Sequence, residues 1–166
     1  KLTHSLNVPL VGGKAASLSK LIEFGVEVPN GFVLTKQLLK DFQIHQQWPE
    51  GFLNDLHKEI SSLNSDKLIV RSSAIGEDSE NHSFAGQLDS IVVENELSAV
   101  EATIRQCWKG LENDRVKAYE KISGKILTEM GVVIQIFLEE RFPKVLTLKS
   151  VVSQPCDQEQ RGMEHN

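Results

Sequence analysis

The chain is poor in cysteine, in aromatic residues and in unbroken apolar sequence. Two cysteines, Cys107 and Cys156, among 166 residues are too few for a disulfide framework, so a reducing compartment is expected. No apolar stretch approaches the roughly 20 residues that span a bilayer. The first residues, Lys1-Leu2-Thr3-His4-Ser5, lack the apolar centre of a signal peptide. A cytoplasmic protein with no membrane partner is the expectation. A net charge of −5 argues against a dedicated nucleic-acid binder, which would carry a basic face, although a local basic cleft stays possible. The five histidines, His4, His45, His57, His82 and His165, show no metal-ligand spacing. There is no internal repeat and no low-complexity tract.

What is present is an ordinary globular composition, 40% hydrophobic and 25% charged, of a length that suits one domain or part of a larger one. Helical spacing of Leu18, Leu21 and Ile22 predicts a helix over 15–24, opened after Gly12-Gly13 and ended at Gly25. Pro29-Asn30-Gly31 marks a turn into a short strand ending at Leu34. Thr35 reads as the N-cap of a helix carrying Leu38, Leu39 and Phe42. Phe52, Leu56, Ile60 and Leu63 predict a further amphipathic helix. Strands are expected over 68–71, 88–93 and 131–138, with helices over 97–111 and 113–122. Helices first, then strands and helices mixed, give an α+β or α/β architecture. Trp108 and Cys107 read as core residues on an amphipathic helix. Residues 141–166 turn polar and are expected to form a poorly ordered tail.

Two segments carry possible chemistry. In Val11-Gly12-Gly13-Lys14-Ala15-Ala16-Ser17-Leu18 two glycines allow a backbone to approach a ligand closely. Lys14 falls in the first helical turn, where a cation opposes the helix dipole unless an anion is near. This is not a P-loop, which would need glycine at Val8 and a hydroxyl residue at Ala15. The second segment opens with Leu68-Ile69-Val70, which delivers Arg71 to the root of a polar, glycine-punctuated loop. An arginine there can meet a phosphate chain or simply pair with Glu77 or Asp78 on a surface loop. Glu77, Asp78 and Glu80 could coordinate a metal, but a solvated acidic loop is the simpler expectation.

These segments, with Gly25-Val26-Glu27-Val28-Pro29-Asn30-Gly31-Phe32-Val33-Leu34-Thr35, Val70-Arg71-Ser72-Ser73-Ala74, Ser83-Phe84-Ala85-Gly86-Gln87, Ile104-Arg105-Gln106-Cys107-Trp108 and Gly131-Val132-Val133-Ile134-Gln135, resemble the pyruvate phosphate dikinase and phosphoenolpyruvate synthase family. Rifampin phosphotransferases share the same amino-terminal ATP-binding domain. The resemblance covers roughly residues 8 to 140 and implies part of an ATP-grasp nucleotide-binding domain, with 141–166 divergent. It implies that ATP is the cofactor, that Lys14 and Arg71 contact its phosphates, and that Arg71 acts in catalysis. It further implies that Ser83, Gly86 and Gln87 belong to a phosphate-covering loop, with the Ser90 hydroxyl near the phosphates. Gln135 would precede the hinge at Phe137 and Leu138 that meets the adenine, with Glu139 just beyond.

The resemblance fades after the hinge. The family places its Mg²⁺ ligands further along, and its phosphohistidine and pyruvate-binding domains have no counterpart here. Phosphoryl transfer towards a histidine and then pyruvate or a similar acceptor is implied for a longer relative carrying those domains. For this chain alone, a fragment, truncated isoform or divergent gene product, the expectations are ATP binding with weak or no catalysis, a non-catalytic nucleotide-binding module, or a structural remnant.

Overall fold

The computed structural model describes residues 1–2, 6–75, 78–79, 82–83, 90–112, 116–117, 121 and 128–139. The architecture is α+β. Two helices come first, α1 (Val8–Val11) and α2 (Gly13–Glu23), followed by β1 (Gly31–Leu34), α3 (Lys36–His45) and α4 (Phe52–Ser62). Then come β2 (Lys67–Ala74), the short pair β3 (Asp78–Ser79) and β4 (His82–Ser83), β5 (Ser90–Glu94), α5 (Leu97–Lys109) with a 3₁₀ turn over Gly110–Glu112, and β6 (Met130–Ile136). β1, β6, β2 and β5 lie side by side in that order, every neighbour antiparallel.

The sheet is covered on both faces because its strands alternate. Leu68 and Val70 of β2, Ile134 and Val132 of β6 and Phe32 of β1 point to one side, where they pack with Leu39 of α3, Ile60 of α4 and Ile104 of α5. Each fully buried side chain of this kind contributes roughly 1.5–3 kcal/mol. Trp108 and Cys107 join this core, at 7% and 1% exposure, as the amphipathic pattern of α5 predicts. On the other side Val11 of α1 and Ala15 of α2 close over Val133 and Val33. α2 ends at Gly25 as expected: the N–H groups of Gly25 and Val26 close back on the carbonyls of Ile22 and Leu21.

Three local expectations need revision. β2 does not stop at Arg71, because Ser72, Ser73 and Ala74 stay in register with Val132, Gly131 and Met130 of β6. Backbone pairing outweighs the loop-like polarity of the serines, so Arg71 sits inside a strand rather than at its end. Thr35 does occupy the N-cap position of α3, but its side chain makes no capping hydrogen bond. β6 ends at Ile136, which leaves Phe137 and Leu138 beyond the strand. The expected helix over 113–122 shows helical geometry at 116, 117 and 121; its other residues, and all of 141–166, lie outside the described residues.

Candidate nucleotide site

Leu68, Val70 and Ala74 face the main core, so alternation puts Lys67, Ile69, Arg71 and Ser73 on the opposite face of β2. That is the face α1 and α2 partly cover. At the end of the strand the cover is very close. A Cβ added at Gly12 would lie 2.6 Å from Ser73 Oγ and would overlap the Ser73 carbonyl. Gly12 also holds φ at +82°, a conformation that side chains disfavour. The Ser73 hydroxyl accepts the N–H of Ala15 at 3.1 Å, across 58 residues of sequence. Lys14 immediately precedes that amide. Arg71 lies two residues from Ser73 on the same face, and the structure thereby draws the lysine segment and the arginine strand to one end of the sheet.

Arg71 is half-buried. Its Nε is buried, and no acceptor meets it among the described residues. Burying a guanidinium N–H without a partner is costly, so this position is suited to an anionic acceptor from outside. Across the ladder Arg71 stands in register with Ser90 of β5, which is exposed. β3 and β4 form a hairpin in which Asp78 is opposite Ser83 and Ser79 opposite His82. The side chain of Ser83, and Gly86, Gln87, Glu77 and Glu80 entirely, lie outside the described residues.

Gln135 is 2% exposed, and its amide donates to the Pro29 carbonyl at 3.0 Å. Its side chain thus ties β6 to the turn before β1. Phe137 donates its N–H to the Lys67 carbonyl at 3.1 Å. Together with Leu138, which is exposed, it lines a cavity of about 620 Å³ that also includes Ser65, Asp66, Lys67 and Glu139. Lys67 Nζ pairs with Glu139 Oε1 at 3.0 Å. The Lys67 ammonium is held above the ordinary lysine range by the hydrogen bond and charge of Glu139, with Glu94 adding to it. Sequence reading gave no part to Lys67, and it quoted Ser73 and Gly131 only inside longer motifs. Counting back by twos from Arg71 would have found the first, and a glycine inside a β-branched run is the signal for the third.

Residues 39–159 match the family model of the pyruvate phosphate dikinase AMP/ATP-binding domain. The chain belongs to that family. The pyruvate phosphate dikinase match begins after Lys14 and runs past residue 140, where the motif resemblance fades. Among curated relatives, the Uncharacterized phosphotransferase YvkC of Bacillus subtilis (strain 168) is 29% identical over 87% of this chain and 20% of its own length. The Prodigiosin synthesizing transferase PigC of Serratia marcescens is 29% identical over 78% of this chain and 17% of its own. The Phosphoenolpyruvate synthase of Escherichia coli (strain K12) is 28% identical over 87% and 26%. The chain therefore spans about a fifth of the length of the curated relatives it matches. It belongs to an ATP-binding family of phosphotransfer proteins. Among the described residues no helix is long and apolar enough to cross a membrane.

Proposed function

We propose that this chain binds ATP as the amino-terminal part of a dikinase-type, ATP-grasp domain. Lys14 and Arg71 hold the phosphate chain, and the segment containing Ser83, Gly86 and Gln87 covers it, with the Ser90 hydroxyl alongside. The adenine rests at Phe137 and Leu138, on the cavity above Lys67, and Gln135 fixes the strand that leads there. The observation that carries this reading is the Ser73–Ala15 hydrogen bond, which brings the lysine segment against the strand of a half-buried arginine whose Nε has no acceptor among the described residues.

Charge neutralisation and positioning are most of what phosphoryl transfer asks of a protein, and in this reading Lys14 and Arg71 supply both. The donors described here fit a polyphosphate. Among the described residues no three carboxylate, imidazole or thiolate groups come together, and a magnesium ion bridging the phosphates would take its one or two carboxylates from further along a longer relative. In a longer relative, carboxy-terminal domains would take the phosphate to a histidine and then to pyruvate or a similar acceptor in the cytoplasm.

Calorimetric titration with a non-hydrolysable ATP analogue tests the reading. The wild-type chain should bind at or below millimolar nucleotide. Lys14→Ala and Arg71→Ala should each weaken binding about tenfold, equivalent to about 1.4 kcal/mol. A wild type that takes up no nucleotide at millimolar concentration overturns the proposal.

A further inference from the structure

α2 begins on a glycine. An N-cap residue ordinarily offers a side-chain oxygen to the N–H of the second or third helical residue, and Gly12 has none to offer. Ser73 of β2 takes that place from the neighbouring layer, its Oγ accepting the N–H of Ala15, the third residue of the helix. Ser73 is fully buried, and the absence of a Cβ at Gly12 lets the two backbones meet more closely than any other residue would permit. The same contact is locked from β6. Gly131 stands in register with Ser73, and a Cβ there would lie 2.5 Å from the Val11 carbonyl oxygen. The amino end of α2 is therefore seated against two strands by one hydrogen bond and two missing methyl groups.

We infer that Ser73 is a positioning residue for nucleotide binding: its hydroxyl sets where Lys14 stands relative to Arg71. This rests on the reading above, in which those two cations share one phosphate chain. On this inference Ser73 acts through the helix end it holds, its hydroxyl being occupied by the Ala15 N–H. Arg71 lies two residues away on the same face of the strand, about 7 Å along it, while Lys14 is covalently next to the amide that Ser73 holds. A displacement of about 1 Å at a charged contact is enough to lose much of its value. Ser72 gives an internal control. It is equally buried but faces the main core, and its Oγ has no partner among the described residues.

The test compares ATP and AMP binding by calorimetry in the 166-residue chain. Ser73→Cys exchanges the oxygen for a somewhat larger sulfur that is a much weaker acceptor, and it serves where Ser73→Ala fails to fold. Either variant should weaken ATP about tenfold and AMP less than about twofold, and the loss should vanish in a Lys14→Ala background, since coupled residues are not additive. Ser72→Ala should leave the ATP to AMP ratio as it is. Hydrogen exchange of the Ala15 amide, without nucleotide, should accelerate in Ser73→Cys. Equal losses for ATP and AMP, additivity with Lys14→Ala, or an unchanged Ala15 amide would each overturn the inference while the binding proposal stands. No ATP binding by the wild type overturns both.

Discussion

The indole N–H of Trp48 donates to Glu101 Oε1 at 2.6 Å, joining the loop before α4 to the first turns of α5 across 53 residues. Arg105 meets the same oxygen at 2.8 Å, and its guanidinium lies over the rings of Phe42 and Trp48 at 4.6 and 4.8 Å. One carboxylate thus organises an aromatic and cationic cluster that ties α3 to α5.

That cluster has a pH dependence of defined sign. The Glu101 carboxyl is held below the ordinary glutamate range, first by the Trp48 hydrogen bond and then by Arg105. A depressed carboxyl stabilises the fold at pH values above its unfolded value, about 4.3, and this contribution disappears as pH falls through the folded value. Glu101→Gln should cost about 1 kcal/mol at neutral pH. In urea titrations stepped into acid the variant and wild-type curves should converge. A difference that persists in acid would mean that shape, rather than charge, holds the cluster.

Glu129 offers a second titration. Lys36 Nζ and Lys40 Nζ meet its two oxygens at 2.6 and 2.5 Å, and the hydrogen bond from Lys36, followed by that from Lys40, keeps its carboxyl below the glutamate range. In carbon-13 NMR the Glu129 carboxyl should titrate lower than an exposed glutamate. Lys36→Ala should move it back up towards the ordinary range, and a titration unmoved by that variant would contradict the pairing.

Gly131→Ala should destabilise the chain through packing alone. The new methyl would sit 2.5 Å from the Val11 carbonyl oxygen and 3.0 Å from that of Leu34, and neither backbone can step aside cheaply. Overpacking of this kind costs about 1–3 kcal/mol. The urea midpoint measures it. A wild-type midpoint would show that α1 lifts off the sheet freely.

Arg71→Lys should separate binding from stability. The lysine keeps the charge but loses the planar array of donors, so ATP affinity should fall about tenfold in calorimetry. At the same time a buried Nε with no acceptor among the described residues is removed, and the thermal midpoint should hold or rise. A variant that binds ATP as well as the wild type would show that any cation suffices at this position.

Most of the regular elements were legible, because local spacing records them. Leu38, Leu39 and Phe42 announce α3, Phe52, Leu56 and Ile60 announce α4, and the Val132–Ile136 run announces β6. What was not legible depends on partners distant in sequence. Ser72 and Ser73 look like a loop until Gly131 and Val132, some 60 residues on, take up their backbone groups. The capping of Ala15 by Ser73 and the link from Trp48 to Glu101 are of the same kind. Lys14 and Arg71 could be named from motif and chemistry, whereas the contact that brings their segments together exists only in the folded sheet.

The strand order has a consequence for how the chain comes into being. β6 is the last described strand in sequence, yet it lies between β1 and β2, and among the described residues β1 pairs with no other strand. During synthesis, residues 31–34 wait for about a hundred later residues before their ladder can form. The backbone edges of β1 and β2 that β6 fills stay unpaired in that interval, when open strand edges are most prone to wrong pairings. Ribosome-bound intermediates arrested before and after residue 136 has emerged from the ribosome should differ sharply in protease resistance, as β6 joins β1 to the β2–β5 pair.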